Sequence, residues 1–143
     1  MKTEGQTIRT YRPKSWHAAH NVTLLIFHLQ LTIKYRLAII NDMLSGLVKA
    51  AILYAAFLHG IKIGRIGTDK NHAHVFMQLP PTMSISQAAH YLKGISSRII
   101  RLNMPCLKII LSNAFWSGGF WCVTVGDSWE KVDRYIKEQG IDA

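Results

Sequence analysis

Two spacings alternate along this chain. From Val22 to Ile33 apolar and polar residues take turns. Phe27, Leu29, Leu31 and Ile33 share one face and His28, Gln30 and Thr32 the other, which predicts a strand with one buried side. From Asn41 or Asp42, either of which can cap a helix, the residues Leu44, Leu47, Val48, Ala51, Ala55 and Leu58 recur three and four apart. They predict a core helix running to about His59 and stopped by Gly60. A short strand over Ile61–Ile66 and a turn at Gly67-Thr68 lead into a second alternating run, Asp69–Leu79, closed by Pro80-Pro81. So short a link predicts an antiparallel hairpin. Ser84 with Gln87 forms a capping box for a helix whose stripe is Ile85, Ala88, Leu92, Ile95 and Ile99. Asn103–Asn113, broken by Pro105, holds neither period. Phe115–Gly119 reads as a turn, Phe120–Val125 as a strand, and Asp127 with Glu130 as the start of a last helix. That helix buries Trp129, Val132 and Ile136 and runs to about Gln139 before Gly140.

The order strand, helix, strand, strand, helix, strand, helix predicts an α+β sandwich of the ferredoxin-like or RRM-like kind. Its sheet is mainly antiparallel and its helices pack on one face. A polar, basic extension over 1–20 (Lys2, Arg9, Arg12, Lys14, with Pro13) precedes a single domain over 21–143. The formal charge of +9, seventeen Lys and Arg against eight Asp and Glu, favours a polyanionic partner, nucleic acid before an acidic membrane surface. Cys106 and Cys122 are isolated, which argues against a zinc ribbon or a disulfide framework and for reduced thiols. The most apolar stretch, Leu47–Leu58, contains Lys49 and is too short to span a bilayer. With no export signal at the N-terminus, the expected location is cytoplasmic, away from membranes.

Three features carry candidate chemistry. On the alternating run His72, His74, Phe76 and Gln78 share a face, so two imidazoles stand side by side on rigid backbone, a start for a metal site. Lys34-Tyr35-Arg36 places two cations around an aromatic, suited either to a solvated strand end or to phosphate contact and base stacking. On the last helix Tyr135 and Gln139 are four apart and therefore neighbours. If Gln139 joined His72 and His74, a divalent ion would have three neutral ligands and open positions for phosphate oxygens and water.

Taken together, these stretches resemble the single-tyrosine HUH transposases, the insertion sequence 200-like family. The motif of two histidines around a hydrophobic residue is His72-Ala73-His74, and the nucleophile motif is Tyr135 to Gln139. In the same order stand His28–Arg36, Leu92-Lys93-Gly94 with Ser96-Ser97-Arg98, and Phe115-Trp116 continuing to Thr124-Val125-Gly126. Lys70-Asn71 stands where members often carry Pro-Asp or Pro-Asn. The resemblance covers Val22 to Gln139. It implies a DNA transposase in which Tyr135 attacks a phosphodiester of single-stranded DNA to give a 5′-phosphotyrosine and a free 3′-hydroxyl. It also implies Mg²⁺ or Mn²⁺ held by His72, His74 and Gln139, with Asp69 as an accessory. The targets implied are hairpins at insertion-sequence ends. The assembly implied is a homodimer with joined sheets, each tyrosine helix completing the other subunit's histidine site. Lys34, Tyr35, Arg36, Lys93, Arg98 and Arg101 are the candidate contacts to single-stranded DNA.

Two other classes compete. A non-catalytic, domesticated single-stranded nucleic-acid-binding protein would bind in a salt-dependent way without nicking. Intact His72, His74, Tyr135 and Gln139 weigh against it. A phosphodiesterase built on the histidine pair alone lacks the carboxylates usual in two-metal hydrolysis. The relaxase arrangement of three histidines is not expected, since no third histidine lies near the pair.

Overall fold

The computed structural model describes residues 25–141 together with the strand segments Trp16–His17 (β1) and Val22–Thr23 (β2), which pair antiparallel. The rest of the expected 1–20 extension lies outside the described residues. Next come β3 (Ile26–Thr32), α1 (Asp42–Leu58), β4 (Lys62–Thr68), β5 (His72–Gln78), α2 (Ile85–Asn103), β6 (Trp121–Gly126) and α3 (Trp129–Gln139). The four long strands form one antiparallel sheet in the order β4-β5-β3-β6, with the βαββαβ connectivity expected of the ferredoxin-like class.

The caps explain where the helices begin and end. Asn41 accepts the Leu44 N–H at the start of α1, and Ser84 and Gln87 make the full capping box of α2. The expected Asp127–Glu130 start of α3 is corrected: Ser128 caps the helix by accepting from the Lys131 N–H, while Asp127 pairs with the Lys131 ammonium at 2.6 Å. A hydroxyl one residue later sits where the first free N–H groups point, which leaves the carboxylate to its lysine. At the other end Gly140, with φ 65°, turns the chain in the left-handed conformation that glycine adopts without steric cost.

Some boundaries move. Gly67 and Thr68 belong to β4, so the hairpin turn falls at Asp69–Asn71 and the histidine strand starts at His72. The expected strand over Val22–Ile33 is divided, because Val22–Thr23 pairs with Trp16–His17 and β3 begins at Ile26. The segment without a period resolves into the end of α2 and a 3-10 turn over Pro105–Ile109 whose Leu107 is buried. Leu58, expected in the core, is exposed at the end of α1.

The register of β3 against β5 sorts the sheet into two faces. Leu29 lies opposite Val75 and Leu31 opposite Ala73; on the other side His28 meets Phe76, Gln30 meets His74 and Thr32 meets His72. The first face, with α1 and α2 over it, holds the main core of Leu29, Leu31, Val75, Val48, Ile52 and Leu92. The expectation that helices share one face holds for α1 and α2. The third helix departs from it and lies on the histidine face, where Val132 joins Ile26 and Phe76 in a second, small cluster. Its apolar stripe is narrow, and those two side chains are the matching apolar ground.

Candidate active site on the histidine face

The central strands place the histidines. On β5, His72 and His74 project from the same face as His28 of the neighbouring β3. His28 is 2% exposed, its ring stacked on Phe76 with centroids 4.5 Å apart and planes 12° apart. Trp121 and Tyr135 meet that ring edge-on. The backbone thus fixes three imidazoles in a row, and packing fixes the rotation of His28 at the end nearest Tyr135.

A continuous set of hydrogen bonds joins them. Asn71 Oδ1 lies 2.6 Å from His72 Nδ1, and His72 Nε2 lies 2.9 Å from His74 Nε2. His74 Nδ1 lies 2.9 Å from His28 Nε2, and His28 Nδ1 lies 2.9 Å from the phenol oxygen of Tyr135. Burial and the neighbouring imidazoles, first His74 and then His72, lower the His28 pKa to about 4. The pKa of His74 is likewise about 4, because burial and the His72 imidazole outweigh the opposing pull of the Asp69 carboxylate. Both rings are neutral at physiological pH, the form that donates a lone pair to a metal. Half-buried Tyr135 has its pKa raised by desolvation, so its phenol is protonated until a charge or a hydrogen-bond donor favours the phenolate.

The histidine pair fits a divalent ion. Two nitrogens on adjacent corners of an octahedron with bonds of about 2.1 Å are about 3 Å apart, and the two Nε2 atoms lie 2.9 Å apart. Among the described residues no three His, Cys, Asp or Glu side chains converge on a metal position. His28 is therefore no third ligand, since its nitrogens are turned to His74 Nδ1 and Tyr135. The expectation that no third histidine lies near the pair is corrected: His28, on the neighbouring strand, lies beside His74 but turns its nitrogens away from the ligand position. Gln139 is exposed at the end of α3, one turn beyond Tyr135. Asp69, in the turn before His72, accepts from the Lys70 N–H at 2.7 Å.

The tyrosine helix is anchored to the sheet at its flank. Arg65 of β4, with its side chain 9% exposed, donates to Asp133 at 2.7 Å, one turn of α3 from the helix start. Gly126, with φ 153°, joins β6 to α3, and a Cβ there would come within 2.8 Å of the Lys131 side chain. Sequence reasoning missed Arg65 and His28. His28 was visible as a polar residue on the uncovered face of an alternating strand, but the strand that would pair beside it was not.

The candidate DNA contacts separate into two groups. Lys34-Tyr35-Arg36 forms a 3-10 turn in which Tyr35 (φ 63°) and Arg36 (φ 52°) are both left-handed, with Tyr35 70% exposed and the Lys34 ammonium 5.4 Å from its ring centre. The turn stands at the His72 end of the sheet, because the Ile33 N–H donates to the Asn71 carbonyl at 2.9 Å. Arg98 is exposed on α2. Lys93 and Arg101 instead tie α2 to the following segment, donating to the carbonyls of Gly119 at 2.9 Å and Ser112 at 2.8 Å. Beside them Ser97 is buried and accepts the Phe115 N–H, and Trp116 donates to Ser96. Lys93, Gly94, Ser97, Arg101, Trp116 and Phe120 line a pocket of about 400 Å³.

The family model described as transposase IS200 like matches residues 21–139. Over 70 residues the chain is 39% identical to the transposase for insertion sequence element IS200 of Salmonella typhimurium, an alignment covering 48% of this chain and 46% of that one. The matched region thus spans about half the length of that curated relative. Identity to the ISDra2 transposase TnpA of Deinococcus radiodurans is 25% over 121 residues, covering 80% of this chain and 84% of the other. Among solved structures, a candidate transposase from Deinococcus radiodurans shares the fold at a TM-score of 0.72 and 22% identity, covering 89% of this chain and 99% of its own. A REP-associated tyrosine transposase bound to a REP hairpin shares it at 0.56 and 11%, covering 89% and 74%. A family match that extends over nearly every described residue shows that the chain belongs to the IS200-like transposase family.

Proposed function

We propose that this protein is a DNA transposase that cleaves and rejoins single-stranded DNA at insertion-sequence ends, with Tyr135 as nucleophile. The observation that carries this reading is the hydrogen-bonded line from the Tyr135 phenol through His28 to the His72–His74 pair. The phenol proposed as nucleophile and the imidazoles proposed as metal ligands lie over one face of one sheet. The Tyr135 oxygen attacks the scissile phosphorus, a Tyr–O–P bond forms, and the bond to the 3′-oxygen breaks. The phenol proton is lost, the departing oxygen takes up a proton to become the 3′-hydroxyl, and the 5′-phosphate stays on the tyrosine. Because the phosphodiester bond is exchanged rather than hydrolysed, the 3′-hydroxyl can reverse the step and rejoin strands without a nucleotide cofactor.

His72 and His74, with Gln139 as a third neutral ligand, would hold Mg²⁺ or Mn²⁺. When bound, the ion supplies charge stabilisation to the phosphate as negative charge builds on its oxygens. The exposed turn Lys34-Tyr35-Arg36, at the His72 end of the sheet, offers a stacking ring and two cations to the strand entering the site. Arg98 is the free-standing cation on α2, whereas Lys93 and Arg101 already brace the segment that follows. The hairpin target is proposed from the family, and one fold neighbour is itself described as hairpin-bound.

A homodimer with joined sheets is part of the proposal, and the edge strand β6 is available for it. Tyr135 bonds to His28 of its own chain, the ring next to His74, which favours a reading in which one subunit carries both proposed halves of the site. Mixing Tyr135→Phe and His72→Ala subunits tests whether the site is also shared: recovery of activity in the mixture shows exchange.

The deciding experiment incubates the protein with end-labelled single-stranded DNA carrying a hairpin and Mn²⁺, followed by a denaturing gel. The expected result is a covalent protein–DNA band that needs the ion and disappears in Tyr135→Phe while hairpin binding persists. Salt-sensitive binding with no adduct under any divalent ion would make the protein a non-catalytic binder instead.

A further inference from the structure

The bonds on the histidine face have one consistent direction when no metal is bound, and Asn71 sets it. Its amide oxygen accepts, so the His72 proton sits on Nδ1 and His72 Nε2 carries a lone pair. His74 then donates from Nε2 to His72 and keeps Nδ1 bare. His28 donates from Nε2 to that atom, which leaves its Nδ1 to accept the phenol proton of Tyr135.

A metal ligated by the pair requires the reverse. It takes the Nε2 lone pair of His74 as well as that of His72, so the His74 proton must sit on Nδ1. His28 Nε2 becomes an acceptor, the His28 proton moves to Nδ1, and the Nδ1–H points at the Tyr135 oxygen. The phenol changes from donor to acceptor and turns its own proton toward solvent or substrate. The proton count is the same before and after, one on each imidazole and one on the phenol.

We propose that His28 is a positioning residue that couples metal occupancy at His72 and His74 to the direction of the hydrogen bond on the Tyr135 oxygen. This rests on reading those two as metal ligands and Tyr135 as nucleophile. The packing supports it: with Phe76 stacked against the ring and Trp121 and Tyr135 at its edges, protons can move where the ring cannot. A hydrogen bond donated to the phenol oxygen favours the phenolate, so the nucleophile is readied only once the ion is in place.

Imidazole ¹⁵N shifts report which ring nitrogen holds the proton. In the full chain labelled at histidine and examined without DNA, His28 should be protonated on Nε2 without metal and on Nδ1 with saturating Mg²⁺. His72→Ala should abolish the change. A His28 pattern that stays fixed while His72 and His74 respond to Mg²⁺ would overturn the relay and leave the metal reading standing. Silence at all three rings would overturn both. His28→Phe, which keeps the stack on Phe76, should weaken Mg²⁺ binding about tenfold and slow adduct formation roughly a hundredfold. His28→Asn, whose shorter amide reaches only one of the two partners, should not restore metal-coupled activity. Wild-type rates and affinity in either variant, folded by circular dichroism, would also overturn the proposal.

Discussion

The two faces of the sheet are built from the same strands and held by different forces. Beneath α1 and α2 lies a continuous apolar core that includes Leu29, Leu31, Val48, Ile52, Val75 and Leu92, all essentially without solvent exposure. Beneath α3 the described residues include three buried apolar side chains, Ile26, Phe76 and Val132, with Val125, Ile136 and Ile141 half-buried around them, and two polar contacts, His28 with Tyr135 and Arg65 with Asp133. Apolar burial is strong and without direction, and stabilises whatever is enclosed. Hydrogen bonds and ion pairs give less net stability but fix angles and proton positions. One side therefore holds the chain folded, and the other holds a few atoms in register for chemistry.

That contrast can be tested from its largest consequence downward. Tyr135→Phe should remove the covalent adduct completely on a denaturing gel while shifting the melting temperature little, because only the phenol oxygen is lost from a small cluster. Leu92→Ala should do the reverse. It opens a cavity in the main core at a cost of about 3 kcal/mol, seen in urea denaturation as a lower midpoint with adduct chemistry intact below it.

Acid should act on the histidine face alone. His28 and His74 titrate near 4 in the folded protein against 6.5 unfolded, so between those values the unfolded chain binds more protons. Stability of the metal-free protein should be level above pH 7, fall as pH drops from about 6.5 toward 4, and level off below that as far as these two groups are concerned. Urea midpoints across pH measure it, and a protein equally stable at pH 7 and pH 4.5 would contradict the neutral, buried reading of the pair. The smallest effect belongs to Asp133→Asn. Its carboxylate is 54% exposed, so losing the ion pair should cost about 1 kcal/mol or less. The loss should appear as faster amide exchange in α3 with α1 and α2 unchanged.

Much of the apolar side was legible in the sequence, because its signals are local. The stripe of α1 from Leu44 to Ala55, the Ser84–Gln87 box of α2 and the alternation of β5 each rest on local spacing and hold in the structure, while Leu58 at the end of the stripe does not. The family's histidine and tyrosine motifs were equally local. What did not show was pairing at long range. Nothing near His28 says that β3 runs beside β5 with Thr32 opposite His72, and only that register brings the third imidazole to His74. Arg65 and Asp133 are 68 residues apart and meet only because α3 crosses to the second face. The Asp127 expectation failed for a smaller reason: Ser128, one position on, competes for the same cap and has the geometry to take it.

The placement of Tyr135 has a further consequence. The histidines belong to the two inner strands of the sheet, whereas the tyrosine helix is carried by β6, an outer strand, through the single joint at Gly126. Fraying begins at edges. Under heat or mild denaturant this protein should fail in a set order, parting Tyr135 from His28 first while the inner strands still hold His72 and His74. With the roles proposed above, the partly frayed protein would still bind a divalent ion and no longer cut DNA.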